Sequence, residues 1–99
     1  MLANADEHLR VQCEEVFAPM LSVNRYSDVD EAIAKAGGSE FGLQGGIFTN
    51  DLRVVEKAFD GIDVGGLIVN DVPTFRIDHM PYGGVKQSGL GREGGHDGL

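Results

Sequence analysis

The residues that most invite a chemical interpretation form the glycine-rich run GLGREG, from Gly89 to Gly94. Its spacing satisfies G-x-G-x-x-G, the pattern of a turn that holds a dinucleotide pyrophosphate at a helix N-terminus. That chemistry requires a buried strand before the first glycine and a helix after the last. The preceding VKQS is short and polar, and a helix is not expected in the glycine-rich residues 95–99. We therefore expect no cofactor phosphate to bind at this run.

The thiol of Cys13 is a second candidate, because it is the only cysteine of the chain. It precedes Glu14 and Glu15, and neighbouring carboxylates raise a thiol pKa, whereas a nucleophilic cysteine needs a lowered one. We interpret Cys13 as a partly buried structural residue and not as a nucleophile. One cysteine and three histidines that lie far apart in sequence also predict no metal site.

Composition restricts the partners further. The 99 residues carry a net charge of -8, which disfavours nucleic acid and anionic membranes, since neither gains counterion release from an acidic surface. No apolar run reaches the roughly 20 residues of a membrane helix, and no signal-peptide pattern is present. We expect a single cytoplasmic domain or part of one.

The clearest helix signal lies in the first half of the chain. Apolar residues recur at i, i+3, i+4 and i+7 from Val29, which predicts one buried stripe. Ser27 and Asp30 have the spacing of a capping box at its start. Gly37 and Gly38 are predicted to end the helix with a left-handed stop.

Short apolar segments predict the strands. They lie at residues 9–13, 20–26, 45–49 and 64–70, the last apolar enough for burial on both faces, and Asn50 is predicted to cap a second helix ending at Gly61. From residue 20 onward the order is β-α-β-α-β, which predicts a three-layer α/β fold with a mostly parallel sheet and right-handed crossovers. Ligands of such a sheet bind at its carboxyl edge.

Four stretches together carry a family resemblance: CEEVFAPM, EFGLQGGIFTND, GGLIVND and MPYGGVKQSGLGREGG. In this order and at these separations they resemble the NAD(P)-dependent aldehyde dehydrogenase superfamily, over about residues 2–99. The resemblance implies that residues 1–99 are a C-terminal segment of the catalytic domain. The Rossmann-like cofactor domain, the catalytic cysteine, the general-base glutamate and the final oligomerisation strand would then lie outside it. The chain alone is accordingly expected to be inactive.

The resemblance also assigns cofactor contacts. Glu15 matches the family's contact to the nicotinamide ribose, and Phe17 matches the aromatic beside the nicotinamide end. NAD or NADP is the implied cofactor of the full-length enzyme, while the isolated chain is expected not to bind it tightly. Ala18 stands where the family more often has glycine, which predicts strain if that site needs a positive φ.

The substrate contacts implied by the resemblance lie in the loop before the glycine-rich run. Thr74, Arg76 and Tyr82 match positions that line the family's substrate tunnel. A guanidinium at Arg76 suits a carboxylate, phosphate or sulfonate, so the expected substrate is a small polar or anionic aldehyde. The alternative is that Arg76 pairs with Asp71 or Asp78 in its own loop.

Two functions remain open from the sequence. The chain is either a piece of an aldehyde dehydrogenase or a non-catalytic remnant that self-associates or binds a partner, and a homo-oligomer is expected.

Under either function, the glycines of GLGREG are expected to let the backbone turn tightly beside the tunnel. Lys86, Arg92 and Glu93 are expected to act as structural anchors there.

Overall fold

The computed structural model describes residues 1–94 and shows an α/β chain. Its helices and strands follow in this order: β1 Leu2–Ala3, α1 Arg10–Cys13, β2 Ser22–Val23, α2 Val29–Gly37, β3 Phe41–Gly42, β4 Gln44–Ile47, α3 Leu52–Gly61, β5 Gly66–Val69 and β6 Val85–Lys86. The expectation that no helix follows Gly94 concerns residues outside the described part of the chain.

The strands pair two by two. β1 pairs with β2 and β4 with β5 in parallel, whereas β3 and β6 are antiparallel. β4 and β5 are joined through α3, so they form a β-α-β unit with the register Gln44↔Gly66 to Ile47↔Val69. The predicted α/β class with mostly parallel pairing is confirmed. Within residues 1–94 the three ladders are not joined into one sheet.

Segment 9–13 is a helix, so the predicted strand there is wrong. The amides of Gln12 and Cys13 both donate to the carbonyl oxygen of Leu9, at 2.8 and 3.3 Å. Arg10 and Glu14, one turn apart, form an ion pair of 2.7 Å between Nε and Oε1. These i→i+3 and i→i+4 contacts are available only in a helical turn, and they outweigh the local strand preference.

The N-caps of the two longer helices lie one residue later than predicted. Asp28 caps α2 by accepting from the amide of Asp30, and Asp51 caps α3 by accepting from the amide of Arg53. The capping box at Ser27 and the cap at Asn50 are therefore wrong. In each case an aspartate follows the predicted cap, and its charged carboxylate competes well for the free amides of the first turn.

The helix α2 ends without a left-handed residue. Gly38 has φ −75° and ψ −5°, which is right-handed, so the predicted stop is wrong. Gly37 instead allows α2 and α3 to pack closely, because a Cβ there would overlap the carbonyl oxygen of Gly61 at the end of α3. A Cβ on Gly61 would in turn meet Ile33 Cγ2 at 2.5 Å. The two helices thus cross where neither has a side chain in the way.

The core is small. Within residues 1–94 only Ile33 and Ala58 are buried apolar side chains, at 8% and 0% exposure. The strand predicted to be buried on both faces is only half-buried in β5, and its last residue Val69 is exposed, so that prediction is wrong. Within residues 1–94 β5 pairs with β4 alone in a two-stranded ladder, so fewer neighbours cover it than cover a strand inside a larger parallel sheet.

Candidate functional site

The candidate site is built on the segment that follows β5. Residues 70–81 form a loop, and the chain then returns so that Tyr82 pairs with Glu93. Their amides and carbonyls exchange hydrogen bonds of 2.7 and 2.6 Å. Between them Gly89 and Gly91 have φ of 122° and 78°, and Gly94 just beyond has φ of 130°. The expectation that the glycines of GLGREG make tight turns is confirmed, since side chains disfavour such angles.

Arg76 reaches across this turn. Its Cζ lies 4.2 Å from the centroid of the Tyr82 ring, and its Nη2 donates to Glu93 Oε2 at 3.2 Å. The expected alternative, a pair with Asp71 or Asp78, is wrong. Asp71 is engaged locally, because its Oδ1 accepts from the amide of Val72 at 2.7 Å.

The arginine cluster, defined here as Arg76, Tyr82 and Glu93, has hydrogen-bond donors left to bind an anion. A guanidinium has five N–H donors, and the hydrogen bond to Glu93 uses one of them. The Arg76 side chain is 45% exposed and that of Glu93 72%, and exposed ion pairs are worth only about 0–1 kcal/mol. An incoming carboxylate or sulfonate can therefore bind the free donors or replace Glu93. Thr74 lies exposed in the same loop.

The residues expected to be anchors hold the glycine-rich turn. Arg92 Nη1 donates to the carbonyl oxygens of Gly84 and Gly91, at 3.0 and 2.8 Å. Lys86 Nζ donates to two carbonyls beside the end of α2. With the Glu93 pair, these contacts confirm the expected structural roles.

The turn also packs backbone to backbone on β5. A Cβ added to Gly65 would overlap the carbonyl oxygen of Gly83 and lie 3.0 Å from the carbonyl oxygen of Leu43. A Cβ on Gly83 would in turn overlap the carbonyl oxygen of Gly91. This close approach holds Gly83, the residue after Tyr82, against the start of β5.

Glu15 and Phe17, the predicted cofactor residues, lie on the segment between α1 and β2. Both are exposed, and the Phe17 ring is 93% exposed. The condition for strain at Ala18 is not met, because the non-glycine residues with positive φ are Asn4, Asn70 and Lys86.

Cys13 is exposed, and its Sγ lies 3.1 Å from the carbonyl oxygen of Glu7. The expectation of a partly buried cysteine is therefore wrong, because the short helix α1 leaves its side chain uncovered. Among residues 1–94 no three His, Cys, Asp or Glu side chains are grouped for a metal ion. In that same range no helix is long and apolar enough to cross a bilayer.

Sequence reasoning missed one feature of the site. Asn70 and Lys86, at the two ends of the segment with Arg76 and Tyr82, both have left-handed backbones. Asparagine directly after a strand is a usable signal, since it tolerates this conformation better than most residues. No comparable signal exists for the lysine.

An α/β segment with a β-α-β unit, an exposed loop after its second strand and a glycine-rich turn packed against the start of that strand indicates part of a larger α/β domain. The chain belongs to the aldehyde dehydrogenase family, whose family model matches residues 1–99. It is 51% identical over 94 residues to the 3-sulfolactaldehyde dehydrogenase of Priestia megaterium, covering 95% of the chain and 20% of that protein. It is 47% identical over 91 residues to the lactaldehyde dehydrogenase of Methanococcus maripaludis, covering 92% of the chain and 20% of that protein. The chain thus spans about a fifth of these relatives.

Solved structures show the same fold. Aldehyde dehydrogenase 21 of Physcomitrella patens, in complex with the reaction product succinate, matches with a TM-score of 0.88 and 42% identity, over 93% of this chain and 19% of that one. The NAD+ complex of the aldehyde dehydrogenase from Bacillus cereus matches with a TM-score of 0.90 and 29% identity, over 98% of this chain and 20% of that one. The chain therefore corresponds to about a fifth of an aldehyde dehydrogenase, a family of oxidoreductases that includes an enzyme solved with NAD+.

Proposed function

We propose that the chain is the C-terminal part of the catalytic domain of an NAD(P)-dependent aldehyde dehydrogenase that oxidises a small anionic aldehyde to a carboxylic acid. The reaction proceeds through a thiohemiacetal on a cysteine outside these 99 residues, hydride transfer to the nicotinamide, and hydrolysis of the resulting thioester by water, which releases the acid and the thiol. The observation that carries the substrate class is the Arg76 guanidinium, held over the Tyr82 ring with donors to spare.

Two relatives support an anionic substrate. One is named for 3-sulfolactaldehyde, which carries a sulfonate, and the succinate complex holds a dicarboxylate product. A bidentate guanidinium suits both groups. The lactaldehyde dehydrogenase relative is named for an uncharged aldehyde, so charge selectivity is the property that needs measurement.

The other site residues take supporting roles in this proposal. Tyr82 forms an aromatic wall of the tunnel and holds the guanidinium, and the exposed Thr74 hydroxyl donates to the substrate. Glu15 accepts from the nicotinamide ribose hydroxyls, and Phe17 packs beside the ring. The exposure of Glu15 and Phe17 in the described structure fits side chains whose partners belong to a cofactor and a second domain.

A chimera tests the substrate class. In it these 99 residues replace the matching segment of the Priestia megaterium enzyme, and initial rates with succinic semialdehyde and acetaldehyde are compared. In Arg76→Leu we expect the KM for succinic semialdehyde to rise about tenfold or more, because a charge-assisted contact is lost. The KM for acetaldehyde should stay within about twofold, as it has no anion to lose.

The matched control is Arg53→Leu, which removes an arginine that is 85% exposed and pairs with Asp51 at the start of α3. This variant should behave like the parent chimera with both aldehydes. An unchanged KM for succinic semialdehyde in Arg76→Leu would contradict the anionic substrate.

A further inference from the structure

Two strained residues bracket the loop that carries the arginine cluster. Asn70 has φ of 59° and Lys86 has φ of 54°, both in the left-handed region that side chains other than glycine avoid. All of residues 71–79, between them, are exposed. Such outliers persist only where the surroundings hold them, and they cluster at functional sites.

Asn70 is held by its amide side chain. Its Oδ1 accepts from the amide of Thr49 at 2.9 Å, and its Nδ2 donates to the carbonyl oxygen of Thr49 at 3.1 Å. Its own amide donates to the carbonyl oxygen of Ile47 at 2.7 Å. The side chain thus continues the β4–β5 ladder by one step, and the loop leaves the ladder from a fixed point.

Lys86 is held by its amine. The Nζ donates to the carbonyl oxygens of Gly37 and Ser39, at 2.9 and 3.0 Å, at the C-terminal end of α2. A cation is favourable there, because the last carbonyls of a helix lack partners. Glycine would adopt this φ freely, so what lysine adds at this position is the contact to α2.

We propose that Asn70 and Lys86 are positioning residues that fix the two ends of the substrate loop, defined here as residues 71–85. This inference rests on the proposed function, because the loop carries Thr74, Arg76 and Tyr82. Between residues 71 and 81 the described backbone hydrogen bonds are short turns, from Phe75 to Val72 and from Met80 to Ile77, whereas Tyr82 beyond them pairs with Glu93. The location of the guanidinium therefore depends on where the two ends are held.

Amide hydrogen exchange on the chimera tests positioning without any substrate. Lys86→Gly removes the amine and also the backbone strain, so the variant should still fold. We expect faster exchange at the Tyr82 and Glu93 amides, which pair with each other, while Lys86→Arg should restore most of the protection. Lys35→Met is the control, since Lys35 is an exposed partner of Glu31 on α2. Unchanged exchange in Lys86→Gly would overturn the proposal.

Kinetics then test the consequence for the site. In Lys86→Gly and Asn70→Gly we expect the KM for succinic semialdehyde to rise about tenfold, because a misplaced anion receptor binds the substrate weakly. The kcat and the KM for NAD+ should change by less than about twofold. Equal loss of kcat and of NAD+ affinity would show a general structural defect and would overturn the positioning role.

The two proposals fail in different ways. If changes in the arginine cluster leave the KM of the chimera for succinic semialdehyde unchanged, the substrate class is wrong. The exchange rates of the Tyr82 and Glu93 amides still decide whether Asn70 and Lys86 hold the loop.

Discussion

At the scale of single residues, the proposed substrate class depends on the arginine cluster. The aspartates nearest to Arg76 in sequence do not neutralise it, and its charge is shared with an exposed glutamate 17 positions away. The Tyr82 ring covers one face of the guanidinium. The Arg76 side chain is 45% exposed and makes one described hydrogen bond, so an anion could bind its other donors.

The role of the Tyr82 ring can be separated from that of its hydroxyl. Because the contact is between the guanidinium and the ring face, Tyr82→Phe should keep the KM for succinic semialdehyde within about twofold. Tyr82→Leu should raise it about two- to fivefold, as an exposed cation–π contact is worth about 0.5–1 kcal/mol. Steady-state rates of the two variants in the chimera measure this, and a larger effect of phenylalanine than of leucine would refute it.

Ala18 gives a second residue-scale prediction. Its φ is not positive, so glycine has no conformational advantage there. Ala18→Gly should lower the free energy of unfolding by about 0.5–1 kcal/mol, because glycine loses more backbone entropy on folding. Urea unfolding of the chimera measures the change, and a gain in stability would show that the site needs a left-handed residue.

At the scale of elements, the packing of the glycine-rich turn against the start of β5 depends on Gly65 and not on its neighbour Gly66. A Cβ on Gly65 overlaps the backbone of Gly83, whereas a Cβ on Gly66 would meet side-chain atoms of Gln44 and Met80 at 3.4 Å or more. Gly65→Ala should cost about 1–3 kcal/mol through overpacking. Gly66→Ala, the matched control, should stay within about 0.5 kcal/mol. Chemical unfolding of the chimera compares them, and equal effects would exclude the close approach.

The start of α3 predicts a pH dependence. Hydrogen bonds from the Arg53 side chain and backbone lower the pKa of Asp51 below its ordinary value of 3.8. The unfolded chain then binds this proton more readily than the folded one, so the cap stabilises α3 above that value and is lost as the pH falls through the lower folded pKa. Helix content followed by circular dichroism during acid titration should fall less steeply in Asp51→Asn, which keeps a cap without a titrating group. An equally steep loss of helix content at low pH in Asp51→Asn and in the parent chimera would argue against this role.

Sequence patterns predicted the β-α-β unit well and its boundaries less well. The 3.6-residue period from Val29 gave α2, because an apolar stripe is a local property of the chain. The caps shifted by one residue since Ser27 and Asp28 both suit a cap, and only the folded geometry chooses between them. Arg76 pairing with Glu93 could not be predicted, because it depends on how the glycine turns return the chain.

At the scale of the whole molecule, the chain exposes more surface than a compact protein of the same mass. It exposes 7595 Å², whereas a compact monomer of 10.6 kDa exposes about 5500 Å². The excess is larger than the roughly 800 Å² that one partner buries in a stable interface. Large apolar side chains contribute to it: Phe17, Phe48, Leu52 and Phe59 are 93%, 69%, 80% and 74% exposed. This surface favours association, whether with the rest of an aldehyde dehydrogenase or with another copy.

The isolated chain should therefore self-associate and not bind the cofactor. Apolar exposure drives the pairing, and within residues 1–94 no third strand pairs with the β4–β5 ladder, so its edges can add one. Size-exclusion chromatography with light scattering should give a dimer or larger species whose fraction rises with protein concentration.

Calorimetric titration with NAD+ should show no binding, because Glu15 and Phe17 supply only one side of the proposed site. Self-association without dehydrogenase activity in the chimera would favour the non-catalytic remnant. A stable monomer that binds NAD+ at low micromolar concentration would contradict both the fragment assignment and the pairing.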